Sequence, residues 1–550
     1  MDDPPPSEMP QPLQIAGIDI TVEEQSPLVL ELLGVIQQLQ KENQELRDEI
    51  QRIKKTTLRP TIKPSVLLKP TPPEGDPPKP GKKRKRPGSS KRKKTKDLRV
   101  DVNVVIQPID VPEDAILEGY RDFFVQDLLI ESRNTRYRRA VYRLPDGSLV
   151  VAQRPTDVDS HFGPALREFI LVQAHQNHVT QGRLLEQLRE LGVDISAGQL
   201  SNILLNGHEN FHAEKDQLLP TARQISGHLH CDDTSARHQG QSAVCTHIGN
   251  ELFASFSTTD SKSRLNFLRL LCQPEERYMW CEEARESLGW LGAGKKLNAQ
   301  MSLRDDGQWL GRQAWEQQLN DWGIDNATHR RQVSEAALFG KLLTENWYEN
   351  LGLVSDDAPQ FKLFGFVHGL CWVHGERKID RLIPLVTKHR KAKEQAQQTF
   401  WALYKDLQSY RLEPSESAKV KIGNRFDQLC QTKTGYPDLN EALGRLHAKR
   451  DEFLAVLEYP HLPLHNNLSE NDIREYARIR KISGGTRSET GRRCRDTFMS
   501  LKKTCRKLGV SFQAYLRDRL RGAGEIPLLS DLMRIAAESE NLPDPLSGPP

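Results

Sequence analysis

The spacing of hydrophobic and polar positions changes several times along this chain, and each change marks a different element. From Val29 to Ile53 the seam positions recur in alternating steps of three and four: Val29, Leu32, Ile36, Leu39, Asn43, Leu46, Ile50 and Ile53. That is a heptad with Val29, Ile36, Asn43 and Ile50 at a and Leu32, Leu39, Leu46 and Ile53 at d. It predicts a dimerising coiled-coil helix over 26–55, capped by Ser26-Pro27. β-Branched a residues with Leu at d favour two parallel strands, and one buried Asn sets the register. The plainer alternative is an amphipathic helix folded back on its own protein. Residues 1–25, Pro-rich and polar, are expected to be disordered.

From Arg99 the period drops to two. Val100, Val102 and Val104, then Ala140–Leu144 and Leu149–Val151 around Pro145-Asp146-Gly147, predict a small β-rich domain over 99–160. Helical spacing follows over 161–220. Thr180 is placed to cap a helix bearing Leu184, Leu185, Leu188 and Leu191, Gly192–Ser196 make a turn, and Gln199–Leu205 form a second helix. Helix, short turn and helix is the layout of a helix-turn-helix DNA-binding segment, although core hairpins share it. After Pro220 the pattern is strand-like: His228–Thr234, Ser242–His247, a Gly249-Asn250 turn and Leu252–Ser257. Residues 273–330 look helical and loop-rich. A short apolar run, Leu351–Ser355, then ends in Asp356-Asp357, as suits a parallel strand feeding a site. Long charged helices are expected over about 384–457 and a C-terminal tail over 526–550.

Composition narrows the class. With 550 residues, 37% of them hydrophobic and 28% charged, the chain has room for several domains. It has neither an eighteen-residue apolar run nor an opening like a signal peptide, so an intracellular protein without membrane spans is expected. Eight scattered cysteines form no C-x-x-C pair, so neither a disulfide framework nor structural zinc is expected. Net charge is only +4, but it is uneven. Lys82 to Lys96 holds ten basic residues and no acid, within a Pro/Lys/Arg-rich linker over 56–98. Its Lys82, Lys83, Arg84, Lys85, Arg86, Lys91, Arg92, Lys93 and Lys94 are candidate DNA-phosphate contacts, with a nuclear localisation signal as the alternative. Arg474 to Arg521 adds 15 Lys or Arg against 4 acids.

The candidate chemistry centres on His465-Asn466-Asn467-Leu468-Ser469-Glu470, followed by Arg474, Arg480-Lys481, Ser483-Gly484-Gly485-Thr486 and Arg487-Ser488-Glu489. An acid opening a basic helix can hold a divalent metal against phosphate. Alternatively it only favours the helix N-terminus, with Asn466 or Asn467 as cap. The pattern Asn-Asn-x-x-Glu-x-x-x-Arg, then Arg-Lys, Ser-Gly and Arg-Ser-Glu, resembles the glutamate end of insertion-sequence transposases of the sixty-six family. His465 stands where that family usually has Asp.

The resemblance implies a DDE triad on an RNase H-like core. His230-x-Asp232-acid-Thr234 is similar to the family's first catalytic aspartate, and Asp356 to its second, so the implied catalytic and metal-binding residues are Asp232, Asp356 and Glu470. Asp233 and Asp357 are the rivals. Adjacent strand residues face opposite sides, so only one of Asp232 and Asp233 can enter a pocket. Cys371-Trp372-x-His374-x-x-Arg377 resembles a further family signature. It implies that Trp372 packs and that His374 and Arg377 face the cleft or DNA, while zinc at Cys371 and His374 would lack two ligands. Asn466, Asn467, Arg474, Arg480, Lys481 and Arg487 are further candidate DNA contacts.

Three neighbouring carboxylates are tolerable only when cations neutralise them. Two Mg²⁺ or Mn²⁺ ions about 3.5–4 Å apart meet that need and serve in-line phosphoryl displacement. The expected fold is an α/β RNase H-like catalytic core over 221–525 with a helical insertion, preceded by the coiled coil, β-rich domain and helix-turn-helix segment. The expected activity is Mg-dependent cleavage at the ends of an insertion sequence and strand transfer into target DNA. The expected setting is the bacterial cytoplasm, with a homodimer on double-stranded DNA and accessory proteins of the same element. The alternatives are an RNase H-like nuclease without strand transfer and a catalytically inactive DNA-binding protein derived from a transposase.

Overall fold

The computed structural model describes residues 13–15, 18–20 and 99–539, apart from 110–111, 113–114, 156–159 and 346–350. The expected coiled-coil seam with Leu32, Ile36, Leu39, Asn43, Leu46 and Ile50 lies outside the described residues, as does the basic tract from Lys82 to Lys94. The chain divides into two units, 1–126 and 127–550. In the first, within the stretch expected to be disordered, β1 (Leu13–Ile15) and β2 (Ile18–Ile20) pair antiparallel.

The second unit opens with β3 (Val141–Arg143) and β4 (Leu149–Val151), an antiparallel hairpin. Its turn is the expected Pro145-Asp146-Gly147: Gly147 takes a φ of 86°, and the Ser148 N–H donates to Asp146 Oδ1 at 2.9 Å. Turn chemistry pairs these strands locally, but their residues are all exposed. Among the described residues of 99–160 this hairpin is the only regular structure, less than the expected β-rich domain, because no apolar face is covered.

Four helices follow: α1 (Pro164–Leu171), α2 (Gln181–Glu190), α3 (Ala197–Leu205) and α4 (Glu209–Ile225). Ile170, Leu184, Leu188, Ile195 and Leu200 close a small core among the first three. Thr180 occupies the N-cap of α2 without a side-chain bond, whereas Ser196 and Gln199 form a reciprocal capping box on α3.

The central sheet has the order β11-β10-β5-β6-β7. β5 (His228–His238), β6 (Gln241–Gly249) and β7 (Ala254–Thr259) form an antiparallel meander. After α5 (Arg264–Leu271) comes a helical excursion: the short pair β8 (Arg277–Tyr278) and β9 (Leu310–Gly311), with α6 (Glu282–Trp290), α7 (Lys295–Ser302), α8 (Arg312–Asp321) and α9 (Ala327–Thr344). The chain re-enters the sheet as β10 (Gly352–Ser355), parallel to β5, and β11 (Val367–Leu370), parallel to β10.

α10 (Trp372–Asp380) then leads into the expected helical insertion: α11 (Thr387–Leu412), α12 (Glu416–Gln431), α13 (Pro437–His447) and α14 (Arg450–Phe453). Trp372, Phe400, Leu403, Phe426, Leu443 and Phe453 build a separate core there. α15 (Asn467–Ser483) returns to the sheet, followed by α16 (Glu489–Lys507), α17 (Phe512–Arg521) and α18 (Leu529–Glu538). α18 corrects the expected tail. Leu529 and Met533 are fully buried in the main core, so part of the stretch expected as a tail over 526–550 is an amphipathic helix packed on the fold.

β7 is an edge strand, and α16 covers it with side-chain acceptors at every helical turn. Phe256 N–H donates to Ser500 Oγ at 2.9 Å, Thr258 N–H to Asp496 Oδ2 at 2.7 Å and Ala254 N–H to Thr504 Oγ1 at 3.2 Å. Three backbone donors that would otherwise template another strand are thereby satisfied.

Candidate active site

β5 carries His228, His230, Asp232 and Thr234 at alternate positions, hence on one face. Asp232 is half-buried, and its carboxyl is pushed up to about 7. Burial is the main cause, and the charges of Asp356, Asp233 and Glu470 add to it against a hydrogen bond from the Asp233 N–H. Asp356 follows the last residue of β10, on the strand next to β5, and its Oδ1 accepts from the Ala358 N–H at 3.1 Å. Glu470 lies in the first turn of α15. Three acids distant in sequence are thus brought together by the middle of β5, the end of β10 and the first turn of α15.

Their neighbours are occupied elsewhere. Asp233 accepts from Thr246 Oγ1 at 2.6 Å and from Gln360 Nε2 at 2.7 Å. Asp357 pairs with Lys378 at 2.7 Å and with Lys449. Both rivals are therefore tied to protein partners.

Glu470 has only loose partners: His374 Nε2 and Arg377 Nη1, each 3.6 Å from Oε1, and Arg474 Nη2 at 3.4 Å from Oε2. Its Oε1 is buried without a hydrogen bond. Arg377 Nη1 donates to His374 Nε2 at 3.1 Å, and burial pushes the His374 imidazole down, so a neutral ring accepts that bond. An orphaned carboxylate oxygen beside a carboxyl whose ionisation is opposed indicates a place short of positive charge. Hard oxygen donors of this kind suit a cation of the Mg²⁺ or Mn²⁺ class.

The Cys371–Arg377 signature separates into roles. Trp372 is fully buried, its Nε1 donating to Phe453 O at 2.9 Å, and the Cys371 sulfur accepts from the Asn466 N–H at 3.2 Å. His374 and Arg377, one turn apart on α10, reach Glu470.

Asn466, expected at the DNA, is instead fully buried. Its Nδ2 donates to Cys231 O at 2.9 Å and its Oδ1 faces His230 Nδ1 at 2.9 Å, so it locks the start of α15 onto β5. Asn467, Arg474, Lys481 and Arg487 are exposed, and so is Arg478. Arg480 is half-buried and bonds Ser235 on β5. Gly485 explains the glycine turn: a Cβ there would lie 2.5 Å from Arg237 O, where Thr486 adds to the end of β5 through Thr486 N–H to Arg237 O at 3.0 Å.

The basic surplus from Arg474 to Arg521 is partly internal. Lys502 and Lys503 are buried against Glu475, Lys507 pairs with Asp472 at 3.0 Å, Arg517 with Glu168 at 2.9 Å and Arg519 with Glu214 at 2.9 Å. Those five cations serve packing, and the exposed basic set is smaller than the sequence count. All eight cysteines are buried and free. No described helix is long and apolar enough to cross a membrane.

Residues 159–248 and 341–493 match the profile of the Transposase IS66 family, and the two segments contain all three acids. Over 291 residues the chain is 39% identical to the uncharacterized protein y4jO of Sinorhizobium fredii (strain NBRC 101917 / NGR234), an alignment covering 52% of this chain and 90% of that protein. The chain belongs to the transposase IS66 family.

Proposed function

We propose that this protein is a DNA transposase that cuts the ends of its insertion sequence and joins them to target DNA, with Asp232, Asp356 and Glu470 as the catalytic acids. The observation that carries this reading is the convergence of these three carboxylates while Asp233 and Asp357 are held by protein partners. The strand order supports an RNase H-like core: a three-stranded antiparallel meander, then two strands parallel to its first.

Bound by these carboxylates, two Mg²⁺ or Mn²⁺ ions supply the Lewis acidity that in-line phosphoryl displacement uses, with water or a 3′-hydroxyl as nucleophile. The chain itself does the positioning. β5 and β10 fix two acids, Asn466 anchors the helix that carries the third, and Arg377, backed by His374, reaches Glu470 from α10. Exposed Arg474, Arg478, Lys481 and Arg487 present cations to the DNA backbone, and α2–α3 supply a helix-turn-helix. The heptad seam pairs two copies, so that two element ends are held together in the bacterial cytoplasm, with accessory proteins of the element as further partners.

Incubating the full chain with a labelled element end, target DNA and Mg²⁺ tests the proposal. Joined product is expected. Cut but unjoined ends would identify a nuclease without strand transfer, and bound, unchanged DNA an inactive derivative.

A further inference from the structure

Among the described residues, one group of three donors has all its ligand atoms within 4.8 Å of one another, and it is not the acidic triad. It consists of His228, His230 and Glu251. The histidines lie on one face of β5, two residues apart, and Glu251 stands in the turn that joins β6 to β7. That turn is held by Asn250 N–H to Phe253 O at 3.1 Å, which brings Glu251 back against the start of β5.

Hydrogen bonding fixes the tautomer of His230. Because Asn466 Nδ2 donates to Cys231 O, Asn466 Oδ1 is left as an acceptor, so His230 Nδ1 carries the proton. In the neutral ring Nε2 is then a bare lone pair, and it faces Glu251 Oε1 at 4.0 Å. A lone pair and a carboxylate oxygen at that separation repel unless a cation sits between them. His228 Nε2 lies 3.3 Å from Glu251 Oε2 and is buried without a hydrogen bond. The spacing of 3.3 Å equals the ligand-to-ligand edge of a tetrahedral site with bonds of about 2.0–2.1 Å. The Nδ1 of His465 is likewise buried without a partner.

We propose that His228, His230 and Glu251 bind a divalent ion of the zinc class, at a site separate from the catalytic acids. Two imidazoles and one carboxylate select such an ion, whereas the all-oxygen triad selects Mg²⁺ or Mn²⁺. Asn466 is the outer-shell partner that orients His230, the arrangement by which metal-bound histidines are held. Since the same Asn466 opens α15, the ion braces the strand that carries Asp232 and the helix that carries Glu470. The sequence expectation of no zinc followed from the cysteine pattern, and this donor set contains no cysteine.

The test uses tag-free full-length protein carrying Asp232→Asn, which removes a triad ligand, dialysed against chelator and then against millimolar Mg²⁺. Micromolar Zn²⁺ or Co²⁺ is added, and bound metal is counted by elemental analysis. About one ion per chain is expected, with visible Co²⁺ bands of a low-coordinate N/O site and a raised melting temperature. His228→Ala, at a position that is not fully buried, and Glu251→Gln should each lower zinc affinity at least tenfold. Circular dichroism checks that they fold, and the parent's own Co²⁺ spectrum reads the site without them. Absence of Zn²⁺ and Co²⁺ binding in the parent would overturn the site. So would binding that survives both variants, or binding lost in Cys371→Ser instead. Wild-type protein that binds zinc here yet fails to join DNA would leave this inference standing and sink the transposase reading.

Discussion

Glu470 and Glu475 lie little more than one turn apart on α15, yet their surroundings are opposite. Glu475 faces α16, where Lys503 lies 2.6 Å away and Lys502 is closer still, and His178 from the segment before α2 stands at 3.3 Å. Burial alone would raise its pKa, but the His178 and lysine interactions win and hold its carboxyl below the usual range. Glu470 faces Asp232 and Asp356 and meets only side chains 3.4–3.6 Å away. One glutamate is neutralised by the fold and the other is left for something outside it. The contrast separates a structural acid from a candidate catalytic one better than burial does, since both are partly buried.

The largest expected effect is on the neutralised side. Glu475→Gln leaves Lys502 and Lys503 with reduced compensation, which should cost about 3–5 kcal/mol in urea unfolding while the remaining folded protein keeps its joining activity. The pH dependence has a definite sign. Because the folded-state pKa is depressed, this stabilisation is present above the unfolded glutamate value of about 4.3 and is lost as pH falls towards the folded value. The stability gap between wild type and Glu475→Gln should therefore narrow below about pH 4. A gap independent of pH would show that lost packing, not charge, sets the cost.

Glu470→Gln inverts the pattern. Cleavage and joining should fall by about 10²–10³-fold or more, as when a group that stabilises transition-state charge is removed. The melting temperature and DNA affinity should hold, since a first-turn acid contributes only about 0.3–1 kcal/mol. Wild-type activity at saturating Mg²⁺ would return Glu470 to the status of a helix-terminus acid.

Asp233→Asn sharpens the choice within the first acidic pair. It disturbs acceptors for Thr246 and Gln360 and should cost about 1–3 kcal/mol of stability with modest loss of activity, whereas Asp232→Asn should cost activity and little stability. Equal activity losses in the two variants would break the assignment. The smallest effect is expected from Lys481→Ala: about one unit less in the slope of log affinity against log salt, with no change in stability. Lys503→Ala, by contrast, should lower stability and leave that slope alone.

Local pattern made much of this chain legible. Alternation placed β5 to β7, an apolar run ending in acids placed β10, and an Asn-Asn-x-x-Glu start placed α15, because each is written in a few consecutive residues. The turn residues Gly147 and Gly192 take the positive φ their positions need, 86° and 76°. The His228-x-His230 spacing was equally local, a shared strand face, but its meaning depended on a hairpin returning Glu251 to that face.

What the sequence by itself determined, then, was which elements form and which residues carry charge. Tertiary structure decided where each charge goes. Lys502 and Lys503 read the same as Lys481 in the sequence, yet two are buried against Glu475 and one is exposed. Asn466 and Asn467 are adjacent and identical, yet one is fully buried against β5 and the other faces solvent. Asp232 and Asp233 differ only in which face of one strand they occupy, and Thr246 and Gln360 claim the second. Element formation depends on neighbours within a turn or a strand pair. Neutralisation of a charge depends on groups on other elements, from 27 residues away for Lys502 and Glu475 to 349 for Arg517 and Glu168, and only the assembled fold brings them within hydrogen-bonding distance.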